Sequence, residues 1–198
     1  MFDLNTANKQ TSGDSIIPDG TAVPVHATLR PGGAGDGGWL KRNRDGTCLM
    51  LDFEFTVLDG DFARRKFWSM LVVEGETEGQ QKAADISRSR LRAMLESARG
   101  INPADESEKA VAARRVASLQ DFDGLRFWAV VGVEKGKDGY KDRNVLKAVV
   151  TPDRKDWIQL EQVARQASSR PVPSGTTAPA SKPTAVKAGS AGRPSWAA

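Results

Sequence analysis

The stretch Thr47-Cys48-Leu49-Met50-Leu51-Asp52-Phe53-Glu54-Phe55-Thr56-Val57-Leu58 decides the fold class. Leu49, Leu51, Phe53, Phe55 and Val57 recur every second residue, with Met50, Asp52, Glu54 and Thr56 between them. A strand with one face on a core and one in water turns that alternation into structure. Asp59-Gly60 follows as a tight hairpin signal, and residues 62–74 read as the strand that returns. It opens on Arg64-Arg65-Lys66 and continues Phe67-Trp68-Ser69-Met70-Leu71-Val72-Val73. Neighbours on a strand point oppositely, so either Phe67 or Trp68 faces inward.

Upstream, residues 21–30 alternate Val23, Val25, Ala27 and Leu29 with Pro24, His26, Thr28 and Arg30, a further strand. Pro24 places an edge or a bulge in it. Between these strands lies Pro31-Gly32-Gly33-Ala34-Gly35-Asp36-Gly37-Gly38, read as a mobile loop that lacks the Gly-Lys-Ser/Thr ending of a phosphate-binding loop. Residues 1–19 are polar and read as a flexible arm.

Downstream the period changes. Ala84, Ser87, Leu91, Met94, Leu95 and Ala98 fall at helical spacing within 80–99, and Gly100 suits a C-cap. Asn102-Pro103 suggests the cap and first residue of a second helix running to 117. Two strands follow, at 125–134 and 143–151, joined by a basic hairpin containing Lys135, Lys137, Tyr140 and Lys141. A short helix is expected at 156–166. From residue 168 the chain is rich in Pro, Ser, Thr, Ala and Gly and is expected to be disordered.

This order predicts a mainly β protein with α-helices. It is the order of a five-stranded OB-type barrel (β-β-β-α-α-β-β) whose helix caps the barrel between strands three and four. A five-stranded sandwich or open sheet with helices on one side shares it. The expected organisation is an arm at 1–19, an OB-like domain at 20–167 with a helical insertion at 80–117, and a basic tail at 168–198.

Charge and composition narrow the function. Cys48 is the only cysteine and His26 the only histidine, which excludes an intramolecular disulfide and a Cys/His zinc site. No metal, cofactor or catalytic residue is expected. Asp52 and Glu54 share a strand face, as active-site carboxylates could, but a solvated face explains them as well. The tail holds Arg170, Lys182, Lys187 and Arg193 and no acid, so it carries the whole net charge of +4 and the body is neutral. No apolar run is long enough for a membrane span, and residues 1–10 lack the pattern of a secretory signal. The cytoplasm is the expected location.

What stands out is aromatic residues beside basic ones, the pairing that single-stranded nucleic acid uses for stacking and backbone contact. Trp39 lies near Lys41, Arg42 and Arg44. Trp68 follows Arg64 and Lys66. Tyr140 lies among Lys135, Lys137, Lys141 and Arg143. These twelve residues are the candidate nucleic-acid contacts, and all fall on the elements that form the binding face of an OB barrel. For Trp39 and Tyr140, simple loop packing is the competing reading. Trp128, next to Arg126, alternates away from the core phase and is expected to pack beneath the helices.

The segments Ile17-Pro18-Asp19-Gly20, Arg30-Pro31-Gly32-Gly33, 51–57, Arg65-Lys66-Phe67-Trp68, 86–100, Phe122-Asp123-Gly124-Leu125 and 141–157 resemble a phage and prophage family of small proteins. That family is similar to phage single-stranded DNA-binding proteins that accompany replication and recombination genes. The resemblance covers 15–160 and implies an OB fold and single-stranded DNA as partner. It supplies no defined binding residues. The tail ends Arg193-Pro194-Ser195-Trp196-Ala197-Ala198, unlike the acidic tip by which bacterial single-stranded DNA-binding proteins recruit partners. The expected function is therefore non-enzymatic, sequence-tolerant single-stranded DNA binding, with replication or recombination proteins as partners through the tail and homo-oligomers allowed. The alternative is a protein-interaction or structural module that uses the barrel as scaffold and the tail as peptide ligand.

Overall fold

A computed structural model of the chain describes residues 16–137 and 139–158. Six antiparallel strands form one sheet: β1 (Ala22–Arg30), β2 (Leu40–Arg42), β3 (Cys48–Val57), β4 (Lys66–Gly75), β5 (Arg126–Glu134) and β6 (Arg143–Val150). Between β4 and β5 lie the helices α1 (Glu78–Arg99) and α2 (Glu108–Ala113). The described residues are thus mainly β with two α-helices.

β3 is the hub. β4 runs along one edge, from Cys48↔Gly75 to Thr56↔Lys66. β1 and β2 share the other edge. β1 pairs from Val25↔Val57 to Arg30↔Asp52, and β2 resumes the same line from Leu40↔Leu51 to Arg42↔Leu49. β2 is the sixth strand, one more than the alternation predicts, because three residues are too few to display a period. β1 pairs with β5 on its far side, and β5 with β6. Pro24 lies opposite Trp128 on β5, one residue before the ladder to β3 begins, so its missing N–H falls outside that ladder. The path β4-β3-β1-β5-β6 leaves β4 and β6 at its ends, where the Leu146 amide donates to Ser69 Oγ at 2.7 Å.

The loop at 31–39 carries hydrogen bonds of its own. The amides of Gly32 and Gly33 donate to the Gly38 carbonyl at 3.0 and 2.8 Å, and Ala34 and Leu40 exchange both backbone hydrogen bonds. A Cβ at Gly32 would overlap the Leu40 carbonyl, and Gly35 has φ +69° with Leu40 packed against it. Only glycine lets the two strands of this excursion approach so closely.

The inward phase of each strand builds the core. Phe53, Phe55, Phe67 and Phe127 are fully buried, with Phe55 5.1 Å from Phe67 and 5.9 Å from Phe127, ring centre to ring centre. Leu91, Met94 and Leu95 of α1 join the same core. α1 starts on a capping box between Thr77 and Gln80 and ends at Gly100 in the left-handed region. α2 starts later than Asn102-Pro103 predicts. Asn102 Oδ1 caps only the Ala104 amide, and Ser107 is the N-cap of the helix. Arg114 fills the intervening turn, donating to the carbonyls of Asn102 and Asp105 and, at 2.7 Å, to the buried Glu96.

The packed part of the domain reaches back beyond residue 20. Ile17 is buried, and its amide and carbonyl are both held by the Asn144 side chain at 2.8 Å. At the far end, Trp157 Nε1 donates to the Ser97 carbonyl and Trp128 Nε1 to the Ile158 carbonyl, while the Trp128 amide donates to Ser97 Oγ at 3.4 Å, which sets Trp128 beside α1. Residues 156–158 are not helical; the rest of the expected helix, the arm at 1–15 and the tail lie outside the described residues. Among the described residues no helix is long and apolar enough to cross a membrane.

Candidate nucleic-acid interface

The outward phase of β3 and β4 forms a face whose rows are fixed by register. Asp52 lies between Arg30 and Met70, Glu54 between Thr28 and Trp68, and Thr56 between His26 and Lys66. Burying Phe67 turns Trp68 outward, because neighbours on a strand alternate. Trp68 is 47% exposed and Met70 51%, two large side chains two residues apart on the same open face.

Two grooves meet at this row. The first, about 620 Å³, is lined by Trp68 and Met70 together with Arg30, Lys41, Arg90, Arg143 and Lys147, against three carboxylates, Asp19, Asp52 and Glu134. The second, about 690 Å³, is lined by Ile16, Ile17, Arg64, Arg65, Lys66, Phe67, Trp68, Asp142, Arg143 and Asn144. Trp68 and Arg143 line both, so the indole stands between two basins with cations on either side.

Most of these cations face a carboxylate. Buried Asp52 receives Lys41 at 3.4 Å and Arg30 at 3.9 Å. Glu54 Oε1 accepts from Lys66 Nζ at 2.6 Å, and its Oε2 from Trp68 Nε1 at 3.1 Å. Lys147 pairs with Asp19 at 2.6 Å, and Arg143 with Glu134 at 2.8 Å. The hydrogen bond from Lys66 holds the Glu54 carboxyl below its ordinary range. Lys147, helped by the Val133 amide, does the same for Asp19. At the hairpin after β5, Lys135 and the Gly136 amide lower Asp142, while Asp142 raises Lys135.

Of the twelve candidate contacts, Lys41, Arg64, Lys66, Trp68 and Arg143 are brought to the two grooves. The other seven line neither. Trp39 is half-buried and packs against the core. Arg42 donates to the Gly46 carbonyl in the turn before β3, where Arg44 is exposed. Lys135, Lys137, Tyr140 and Lys141 lie on the hairpin, with Tyr140 82% exposed. Sequence reasoning missed Arg30, Met70, Arg90 and Lys147. Met70 and Lys147 were signalled by alternation with Trp68 and Val149; Arg90 reaches the site only because α1 packs on β4. No cluster of three or more His, Cys, Asp or Glu able to hold a metal occurs among the described residues. No family model and no curated protein matches the chain.

Proposed function

We propose that the sheet closes as an OB-type barrel and that the protein binds single-stranded DNA, without sequence preference and without catalysis, in phage or prophage replication or recombination. Counting β1 and β2 as one interrupted strand gives five strands in the OB order, and the Ser69–Leu146 contact supports closure between β4 and β6. The observation that carries the binding reading is the exposed indole of Trp68 between two grooves that contain cations. Such a platform stacks any base, while lysine and arginine on either side follow the phosphates. The phage setting rests on the resemblance of residues 15–160. An anisotropy titration with labelled oligo-dT, a duplex of equal length and RNA, at two salt concentrations, tests the reading. Oligo-dT should bind more tightly than duplex and lose affinity as salt rises; no binding at low salt overturns it.

One observation favours a second reading. Arg30, Lys41, Lys66, Arg143 and Lys147 already face carboxylates, so much of the positive charge of the grooves is internally paired. A protein-interaction module would use Trp68 and Met70 as apolar anchors for a peptide, with little dependence on salt. The same titration separates the two readings, because a peptide groove leaves oligo-dT free.

A further inference from the structure

Glu54 occupies the centre of the exposed face, with Trp68 opposite it on β4 and Thr28 on β1. Its two oxygens do different things. Oε2 accepts from the indole Nε1 at 3.1 Å, which fixes the ring by its edge and leaves the ring nearly half exposed. Oε1 accepts from Lys66 Nζ at 2.6 Å, which engages the ammonium that a phosphate would need. The Glu54 side chain is only 22% exposed, so it cannot swing into bulk water as freely as a surface carboxylate.

Lys66 is half-exposed and its ammonium keeps two further N–H donors, so a phosphate can reach it, but only beside the Glu54 carboxylate, where the repulsion of two anions offsets the attraction. A single strand compensates for this repulsion by stacking a base on Trp68. A duplex keeps its bases paired inside and brings phosphates alone. We propose that Glu54 is the specificity-determining residue of this face: it pre-orients Trp68 for a base and withholds Lys66 from ligands that bring only phosphate, which disfavours duplex DNA. The inference rests on the single-strand binding reading of the same face.

Glu54→Gln separates the two roles, because its carbonyl still accepts from Trp68 while its charge is gone. Duplex affinity should rise more than oligo-dT affinity, narrowing the preference for single strands. Freeing one lysine should also add about a three- to fourfold loss of duplex affinity between about 50 and 200 mM salt. In a Lys66→Gln background the same change should no longer steepen the salt dependence. Lys66→Gln alone reads the pairing from the other side, and should leave the salt dependence of duplex binding unchanged. If wild-type protein binds oligo-dT but Glu54→Gln leaves the ratio of single-strand to duplex affinity unchanged, the inference is overturned and the binding reading stands. A full gain in the Lys66→Gln background, or a shallower duplex salt dependence in Lys66→Gln alone, also overturns it. Failure of wild-type protein to bind oligo-dT removes both.

Discussion

Ser69 and Leu146 join the two ends of the sheet path. The Leu146 amide donates to Ser69 Oγ at 2.7 Å, across 77 positions of sequence and between strands that share no neighbouring strand. Leu146 is buried, so its amide has little access to water as a substitute partner. Ser69→Ala should therefore cost about 1–3 kcal/mol, read as a lowered thermal midpoint. Ser69→Thr, which keeps the oxygen, should recover most of the loss. An unchanged midpoint in Ser69→Ala would show that the contact does not hold β4 to β6.

A second dependence links α1 to the segment that follows it. Glu96 is buried at 3% exposure and accepts from Arg114 at 2.7 Å and Arg92 at 2.8 Å. Arg114→Met would strand the carboxylate and release the carbonyls of Asn102 and Asp105. Breaking a buried pair from one side costs about 3–5 kcal/mol; Arg92 remains, so the lower end is expected. Chemical denaturation should show a reduced midpoint, and the double variant Glu96→Leu/Arg114→Met should regain part of it. Equal stability of Arg114→Met and wild type would contradict this account.

The strands and α1 were legible in sequence because their periods are long and regular. Leu51, Phe53, Phe55 and Val57 recur every second residue, with the ladder to β4 shifting register only at Leu49/Met50, and Gly100 sits in the left-handed conformation that ends α1. What stayed hidden is non-local. Phe67 and Trp68 read alike until the aromatic core claims Phe67. Three-residue β2 has no period of its own and exists because it continues the line of β1 along β3. Trp39 and Tyr140 attracted notice through charged neighbours in the chain, yet the grooves are built from residues as distant as Arg30, Met70 and Lys147. Adjacency in sequence marked the right kinds of residue and only some of the right places.

The glycine loop supplies a local test. Gly32→Ala places a methyl group on the Leu40 carbonyl and should open the Ala34–Leu40 pair. Faster amide exchange at Ala34 and Leu40, and new proteolytic cleavage within 31–39, are the expected results. Unchanged exchange would mean that the loop does not depend on that close approach.

Acid should loosen specific contacts. Asp19, Glu54 and Asp142 are all lowered by lysine partners, Lys147, Lys66 and Lys135 respectively. A depressed folded pKa contributes stability above the unfolded value of about 4, which is lost as pH falls through the folded value. Carboxyl-carbon NMR titration should place all three midpoints below the ordinary range. Protonating Glu54 should also shift tryptophan fluorescence, since it receives the Trp68 indole N–H. Ordinary midpoints for these three groups would mean that the ion pairs do not persist in solution.

Base stacking on Trp68 is read from the oligo-dT affinity of Trp68→Ala. Trp68 is 47% exposed and lies outside the aromatic core, so its removal should leave the thermal midpoint nearly unchanged. A stacked base is worth about 1–3 kcal/mol, so affinity should fall by roughly 5- to 150-fold at constant salt. Tyr140→Ala, on the hairpin and lining neither groove, should lose much less. Wild-type affinity in a folded Trp68→Ala protein would contradict the account.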